Sequence, residues 1–551
     1  MYQVYPRSFA DGDVDGIGDL RGIRDRIDHL SWLGVGAVWL SPFFPSGGAD
    51  NGYDVSDYRA VDPTLGTLAD FDALVDELHR RDIRVIIDQI YNHSSDEHAW
   101  FRSSRSGVDD AQREWYVWRP ARPGTVAGSP GAEPNDWQSF FGGPAWTLDE
   151  RSGEYYLHLF HPKQPDLNWR QPEVREQVYD TMRWWLDRGV DGFRLDVIGL
   201  IAKPDGLPDS GTLRALISTL VQNPRLREHL REMRRAVATG RSSRPVLIGE
   251  MPGVTPELAR ELSGPDHDEM DMVIAFDHVQ LDHGRTKWDR RPFPPGRLGR
   301  KLARWQTVIG DRGWNLLYLG SHDQPRAVSR FGDDGEHRAR AATTLATVLH
   351  LHRGTPFLYQ GDEIAMANFP FVSIDQLRDV ESLRHAADLL AAGEAETEVL
   401  SIIAPASRDN ARTPMQWDAG PGAGFSAATP WIAPNPDHTT WNVAAHLADP
   451  SSVLHHHRRL IRFRRDHPVV VLGSYEPLVV SDDVYAFARA LDGVRLTVIA
   501  NLSDEVAPVP DVDGAHDDVV LGDPSSAAGP DVASSLQPWE CRVHLRRSSR
   551  T

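Results

Sequence analysis

Three short segments each carry a carboxylate, GFRLDV at 192–197, IGE at 248–250 and SHD at 321–323, and in the first and third it stands beside a cationic or amphoteric side chain. Two carboxyl groups about 5–5.5 Å apart suit retaining glycoside hydrolysis, one as nucleophile and one as acid/base. Arg194 precedes Asp196 by two residues, so on a strand both side chains share a face. A guanidinium in that position is expected to keep Asp196 ionised and aimed. His93 and His322 are candidate donors to sugar hydroxyls. A single Asp at a strand end is ordinarily a cap or a surface charge. Asp88, Asp196, Glu250 and Asp323, each at or just past the end of an apolar run, together read as a site. The 17 Trp and 13 Tyr fit a carbohydrate ligand, because aromatic faces stack on sugar rings, but core packing is the ordinary account of them and the count alone decides nothing.

The elements that must carry these residues are eight short apolar runs, at 2–5, 37–41, 85–90, 192–197, 246–250, 272–276, 316–319 and 356–359. Helical periodicity lies between most of them, as at 70–79 and 174–185. Strand and helix alternating eight times predicts a parallel (β/α)8 barrel, an α/β fold. Strands buried on both faces read as unbroken apolar runs, as these do. Catalytic groups of such barrels lie at the C-terminal ends of the strands. Two gaps are too long for loops. The stretch 94–164 is read as an excursion domain after the third strand, with a strand at 154–160, and 366–437 as an insertion after the eighth. The barrel is therefore expected over 1–93 and 165–467. From 468 to 551 β-like runs at 469–472, 484–488, 494–499 and 541–545 predict a C-terminal β-sandwich domain. The closing RRSSRT is expected to fray.

Composition excludes several classes. Lys plus Arg is 59 and Asp plus Glu is 79, a net charge of −20, which argues against nucleic acid and anionic membrane surfaces as partners. The single cysteine, Cys541, excludes an internal disulfide and a cysteine-based zinc cage. No run is long enough for a membrane span, and the N-terminus lacks a signal-peptide pattern, so a cytoplasmic address is expected.

Ten motifs in order resemble the α-amylase superfamily, glycoside hydrolase family 13, and within it the oligo-1,6-glucosidase and dextran glucosidase group. They are YQVYPRSF at 2–9, DGDVDGIGDL at 11–20, NGYDVSDY at 51–58, DQIYNHSSDEHAWF at 88–101 and QPDLNW at 164–169. GFRLDV at 192–197, IGEMPGVT at 248–255, SHDQPRAVSRFGD at 321–333, YQGDEI at 359–364 and SRDNARTPMQWD at 407–418 complete the series. The resemblance implies Asp196 as nucleophile, Glu250 as general acid/base and Asp323 as the third carboxylate, which binds ring hydroxyls. It implies that Arg194, His93 and His322 hold the nucleophile and the first sugar, and that Tyr53 is that sugar's stacking platform. Asp50 and Arg412 match the pair that grips the terminal O4 in exo-acting relatives, with Arg408 close by. Val197 after the nucleophile, and QPDLN at 164–168, match members that prefer α-1,6 over α-1,4 bonds. The implied activity is a retaining exo-α-glucosidase on small oligosaccharides, working as a monomer or weak homo-oligomer. An α-1,4-glucosidase, or a glucosyltransferase or sucrose isomerase, is the alternative on the same carboxylates; the Arg-rich loop typical of sucrose isomerases is absent from 327–334. A non-catalytic transporter subunit would need a membrane helix and a broken carboxylate set.

Two departures stand out. The third-strand motif, commonly DLVVNH, is DQIYNH here, so Gln89 and Tyr91 imply different packing, and the chain opens nearly inside its first strand where relatives carry a few more residues. Asp11, Asp13, Asp15 and Asp19 around Gly16 form an acidic loop that begins like an EF-hand but has Gly22 at the twelfth position. The group resembled binds structural Ca2+ (sometimes Mg2+) at this loop, through these carboxylates and the Ile17 carbonyl.

Overall fold

The computed structural model describes residues 1–264, 268–515, 519–522 and 534–547. The chain forms two compact units, one of Met1–Val38, Asp277–Arg378 and His385–Thr551, the other of Trp39–Phe276 and Asp379–Arg384. The strand Ala37–Leu40 crosses the boundary between them.

The second unit is built on four parallel strands, Arg84–Ile90, Gly192–Asp196, Val246–Glu250 and Met272–Ile274, paired in that order. Gly192–Asp196 is buried along its whole length, the mark of a strand covered on both faces. A Cβ at Gly192 would lie 2.4 Å from the Val246 carbonyl oxygen, so only glycine permits this spacing. The pairing sets Asp88 opposite Arg194 and Ile90 opposite Asp196, which brings the charged side chains to one end of the sheet. The helices Leu68–His79 and Pro172–Asp187 separate strands in sequence. The first starts at a capping box, with Thr67 accepting from Asp70 N–H while the Asp70 carboxylate accepts from the Thr67 amide. The second starts with proline at its first position, where no helical N–H is needed. The excursion carries a three-stranded antiparallel sheet in which Glu154–Leu157 lies between Trp118–Arg119 and Trp146–Asp149.

In the first unit, Tyr2–Val4 pairs in parallel with Leu358–Tyr359, and Leu316–Leu317 with Thr355–Pro356. All eight expected strand runs are thus strands. The stretch after the eighth contains the helices Val380–Ala391 and Glu396–Ile403, with Phe371, Leu377, Ala386, Val399 and Ile403 in one apolar cluster. A five-stranded sheet ends the chain, ordered Ser474–Val480, Val484–Leu491, Val494–Asn501, Cys541–Arg547 and Val519–Gly522. A two-stranded ribbon, Ala507–Pro508 with Ser535–Leu536, packs Ala507 and Leu536 against Val484, Ala486 and Ile499. The run at 469–472 is not a strand but part of the helix Pro468–Leu472. Four consecutive apolar residues suit a buried strand or a buried helix, and the proline at the first position decides for the helix. From residue 548 the closing tail lies outside the described residues. Among the described residues no helix is long and apolar enough to cross a membrane.

Candidate active site

In the second unit one guanidinium organises three carboxyl groups. Arg194 Nη1 donates to Asp88 Oδ1 and Asp196 Oδ1, each at 2.7 Å, and Nη2 pairs with Glu250 Oε1. Arg194 is buried, its guanidinium 5.1 Å from the Trp39 ring and 5.9 Å from that of Tyr53. Tyr53 donates its hydroxyl to Asp88 Oδ2 at 3.0 Å. The charges do not balance, since three acids share one base. Burial pushes Asp196 well above the usual carboxylate range; Arg194 pulls it down, and Glu250 and Asp88 push it up again. The expectation that Arg194 would keep Asp196 ionised is therefore corrected. Arg194 aims the carboxylate, but burial and two like charges outweigh its pull. Asp196 therefore retains a proton more readily than an isolated carboxyl would.

Directly after Asp196, Val197 has φ 37° and ψ 36°, left-handed backbone that a β-branched residue rarely adopts. The bend turns the Val197 amide to Glu250 Oε2 at 3.1 Å, tying the end of one strand to the carboxyl of the next.

His93 lies at the end of the third strand, fully enclosed, and burial lowers it to about 3, so it is a neutral imidazole. Its Nε2–H points to the Tyr53 carbonyl at 3.1 Å, and the Asn92 amide lies 3.3 Å from Nδ1. Gln164 Nε2 donates to Asp50 Oδ2 at 3.3 Å. Lys203 Nζ pairs with Asp166 Oδ2 at 2.6 Å and donates to Asn92 Oδ1 at 2.7 Å, a buried brace behind His93. Sequence reasoning missed the bracing role of Asn92, Asp166, Lys203 and Gln164. The available signal was a lysine seven residues after Asp196 in an apolar stretch, since a buried ammonium requires an acidic partner. Gln89 and Tyr91 are buried, and the Gln89 amide and Tyr91 hydroxyl have no hydrogen-bond partner among the described residues.

The first unit holds a second cluster of opposite balance. Gln3 Nε2 donates to His322 Nδ1 at 2.7 Å, which leaves His322 Nε2–H to meet Asp323 Oδ2 at 3.0 Å. Asp323 Oδ1 receives Arg412 Nη2 at 3.2 Å and Arg408 Nη1 at 3.4 Å. Arg412 Nε also donates to the His322 carbonyl at 3.2 Å. Burial opposes ionisation of Asp323, yet His322, Arg408 and Arg412 outweigh it and hold the carboxyl well below its ordinary range.

The acidic loop lies in the same unit. Asp11, Asp13 and Asp15 each bring a carboxylate oxygen within 4.8 Å of the others. Asp19 does not join them; its buried carboxylate accepts from Gly12 N–H at 2.9 Å and Gly22 N–H at 2.7 Å, capping the helix Leu20–Asp25.

Residues 3–473 match the family described as "Alpha amylase, catalytic domain", and residues 475–543 match a domain of unknown function, DUF3459. The chain is 46% identical to the oligo-1,6-glucosidase of Parageobacillus thermoglucosidasius over 99% of its length and 98% of the relative's. A crystal structure of a trehalulose synthase variant with Tris superposes with TM-score 0.93 at 40% identity, covering 99% of this chain and 98% of the other. The trehalose-6-phosphate hydrolase of Bacillus licheniformis superposes with TM-score 0.92 at 38% identity, over 99% and 98%. The chain belongs to the α-amylase family and is a glycoside hydrolase. Its fold is that family's (β/α)8 barrel with an excursion after the third strand and a C-terminal all-β domain.

Proposed function

We propose that this enzyme is a retaining, exo-acting α-glucosidase that removes glucose from the non-reducing end of α-1,6-linked oligosaccharides such as isomaltose. The observation that carries this reading is the Arg194 fork. One guanidinium holds both Asp196 and Glu250, the pair of carboxyl groups that a retaining mechanism uses as nucleophile and acid/base. On substrate binding the proton that burial favours on Asp196 passes to Glu250, so that Asp196 attacks the anomeric carbon as a carboxylate while Glu250 gives that proton to the departing glycosidic oxygen. Glu250 then takes a proton from water, whose oxygen displaces Asp196 and regenerates both groups. Tyr53 stacks on the sugar ring. His93 and His322, their ring N–H groups engaged by the Tyr53 carbonyl and Asp323, flank the sugar and fix the groups that hold it, and Asp323, held ionised, accepts from its hydroxyls. Asp50 and Arg412 grip the terminal O4, which makes cleavage exo.

The α-1,6 preference is supported by Val197, by QPDLN at 164–168 and by the likeness to a named oligo-1,6-glucosidase. Asp11, Asp13 and Asp15, with the Ile17 carbonyl, form an oxygen-rich set that fits a structural Ca2+, or Mg2+ in its place. Asp19, which caps the helix Leu20–Asp25, is the further carboxylate that the loop offers such an ion. A chromatographic time course on isomaltose, maltose, sucrose and a dextran oligomer tests the assignment. Glucose as first product, and fastest consumption of isomaltose, is the expected result. Faster maltose cleavage selects the α-1,4 reading, and isomerised sucrose the transfer reading.

A further inference from the structure

In the first unit, the exposed face of the helix Val453–Asp466 carries Arg458, Arg459, Arg462 and Arg465 at helical spacing, in a chain whose net charge is −20. Like charges three and four residues apart repel, so this stripe costs helix stability. With Trp32 from the helix Ile27–Leu33, it lines a groove of about 540 Å³ whose only carboxylate among the described residues is Asp466. Two of the arginines are held in place by backbone oxygens: Arg459 donates to the Pro450 carbonyl and Arg465 to the Gly34 carbonyl, both at 3.0 Å. The other two keep most of their donors unspent. Among the described residues the Arg458 guanidinium, 4.3 Å from the centroid of the Trp32 ring, makes no hydrogen bond or ion pair, and Arg462 reaches only Asp466, at 3.4 Å. His455 meets the same Trp32 ring edge-on at 5.0 Å, so the indole that supports Arg458 is itself fixed.

Stacking orients a guanidinium while leaving its N–H edge open, the arrangement that reads a phosphate through paired hydrogen bonds. We propose that this groove binds the phosphate group of a small phosphate monoester such as a sugar phosphate. Arg458 and Arg462 supply the direct contacts, and Arg459 and Arg465 the surrounding positive field. A dianionic phosphate answers several converging cations better than one carboxylate does. The volume falls in the range of small-molecule pockets and leaves room for a hexose beside the phosphate. The site is separate from the Arg194 and Asp323 clusters and does not depend on the glucosidase reading.

Isothermal titration of the full chain at physiological salt, with glucose 6-phosphate and inorganic phosphate as probes, tests the proposal. Saturable binding of glucose 6-phosphate is expected, weakened at least about tenfold in Arg458→Gln/Arg462→Gln, a change of about 1.4 kcal/mol. Both residues are exposed, so the variant should fold and hydrolyse isomaltose at the wild-type rate. Absence of saturable binding, or unchanged affinity in the variant, overturns the proposal. Equal affinity for inorganic phosphate overturns the ester in favour of the free ion.

Discussion

The Arg194 and Asp323 clusters use the same residue types to opposite ends. Around Arg194 three carboxyls share one cation, and burial with mutual repulsion lifts Asp196. Around Asp323 a single carboxyl is met by His322, Arg408 and Arg412, and its titration falls far below the ordinary range. A carboxyl at a strand end is thus not one kind of device. An acid-rich cluster manages a proton, as a reaction that protonates a leaving group requires, whereas a base-rich one supplies a fixed negative charge for gripping a ligand.

Asp196→Asn breaks the comparison most severely. Turnover should fall by at least about 10³-fold, on the scale of other removals of catalytic groups. A variant keeping a tenth of wild-type turnover contradicts the nucleophile role. The same variant probes the electrostatics. A carboxyl raised in the folded state adds stability that is complete below its unfolded value, about 3.9, and is lost as pH rises through the folded one. The neutral Asn escapes that loss, so by calorimetry the variant should melt above wild type at neutral and alkaline pH.

Arg412→Ala and Asp50→Ala sharpen the contrast. Each should lower kcat/KM on isomaltose roughly 10- to 100-fold, mainly through KM, because a buried polar partner is left unanswered. The two should differ in acid. Asp323, depressed in the folded state, contributes stability above its unfolded value that disappears as pH falls through the folded one. Removing Arg412 raises that folded value, so acid unfolding should begin at higher pH in Arg412→Ala and stay unmoved in Asp50→Ala.

Val197→Thr is a smaller effect. A wild-type preference for isomaltose over maltose of about 10- to 200-fold should narrow or invert, the scale of discrimination available to one pocket group. A ratio of kcat/KM values left unchanged by the substitution removes Val197 from linkage choice. Smallest is the loop at Asp11, Asp13 and Asp15. Chelation should lower Tm by a few degrees, restored by Ca2+ through mass action on the folded state, with kcat below melting unaffected. Loss of kcat on chelation would make the ion more than structural.

Much of this was legible in the sequence, for a physical reason. Parallel strands buried on both faces leave unbroken apolar runs, so even the two-residue strands Leu316–Leu317 and Leu358–Tyr359 fell inside expected segments. Arg194 and Asp196 could be set on one face by period alone. What escaped depends on three-dimensional convergence. Nothing in GFRLDV tells how many further carboxyls will reach the same guanidinium, so the direction of the Asp196 shift was misjudged. The left-handed turn at Val197 contradicts the residue's own preference and exists only because its surroundings impose it. Lys203 joins Asp166 and Asn92 from distant parts of the chain, and the cap that Asp19 gives the helix Leu20–Asp25 appears only in three dimensions.

The most direct test is to trap the intermediate. Incubation with 5-fluoro-α-D-glucosyl fluoride, which slows release of the glucosyl-enzyme, followed by peptide mass spectrometry, locates the bond that forms. The adduct is predicted on Asp196, in the peptide containing Gly192–Asp196. An adduct on Glu250 or Asp323, or hydrolysis with inverted anomeric configuration and no adduct, would contradict the assignment of the Arg194 cluster as the centre of a retaining reaction.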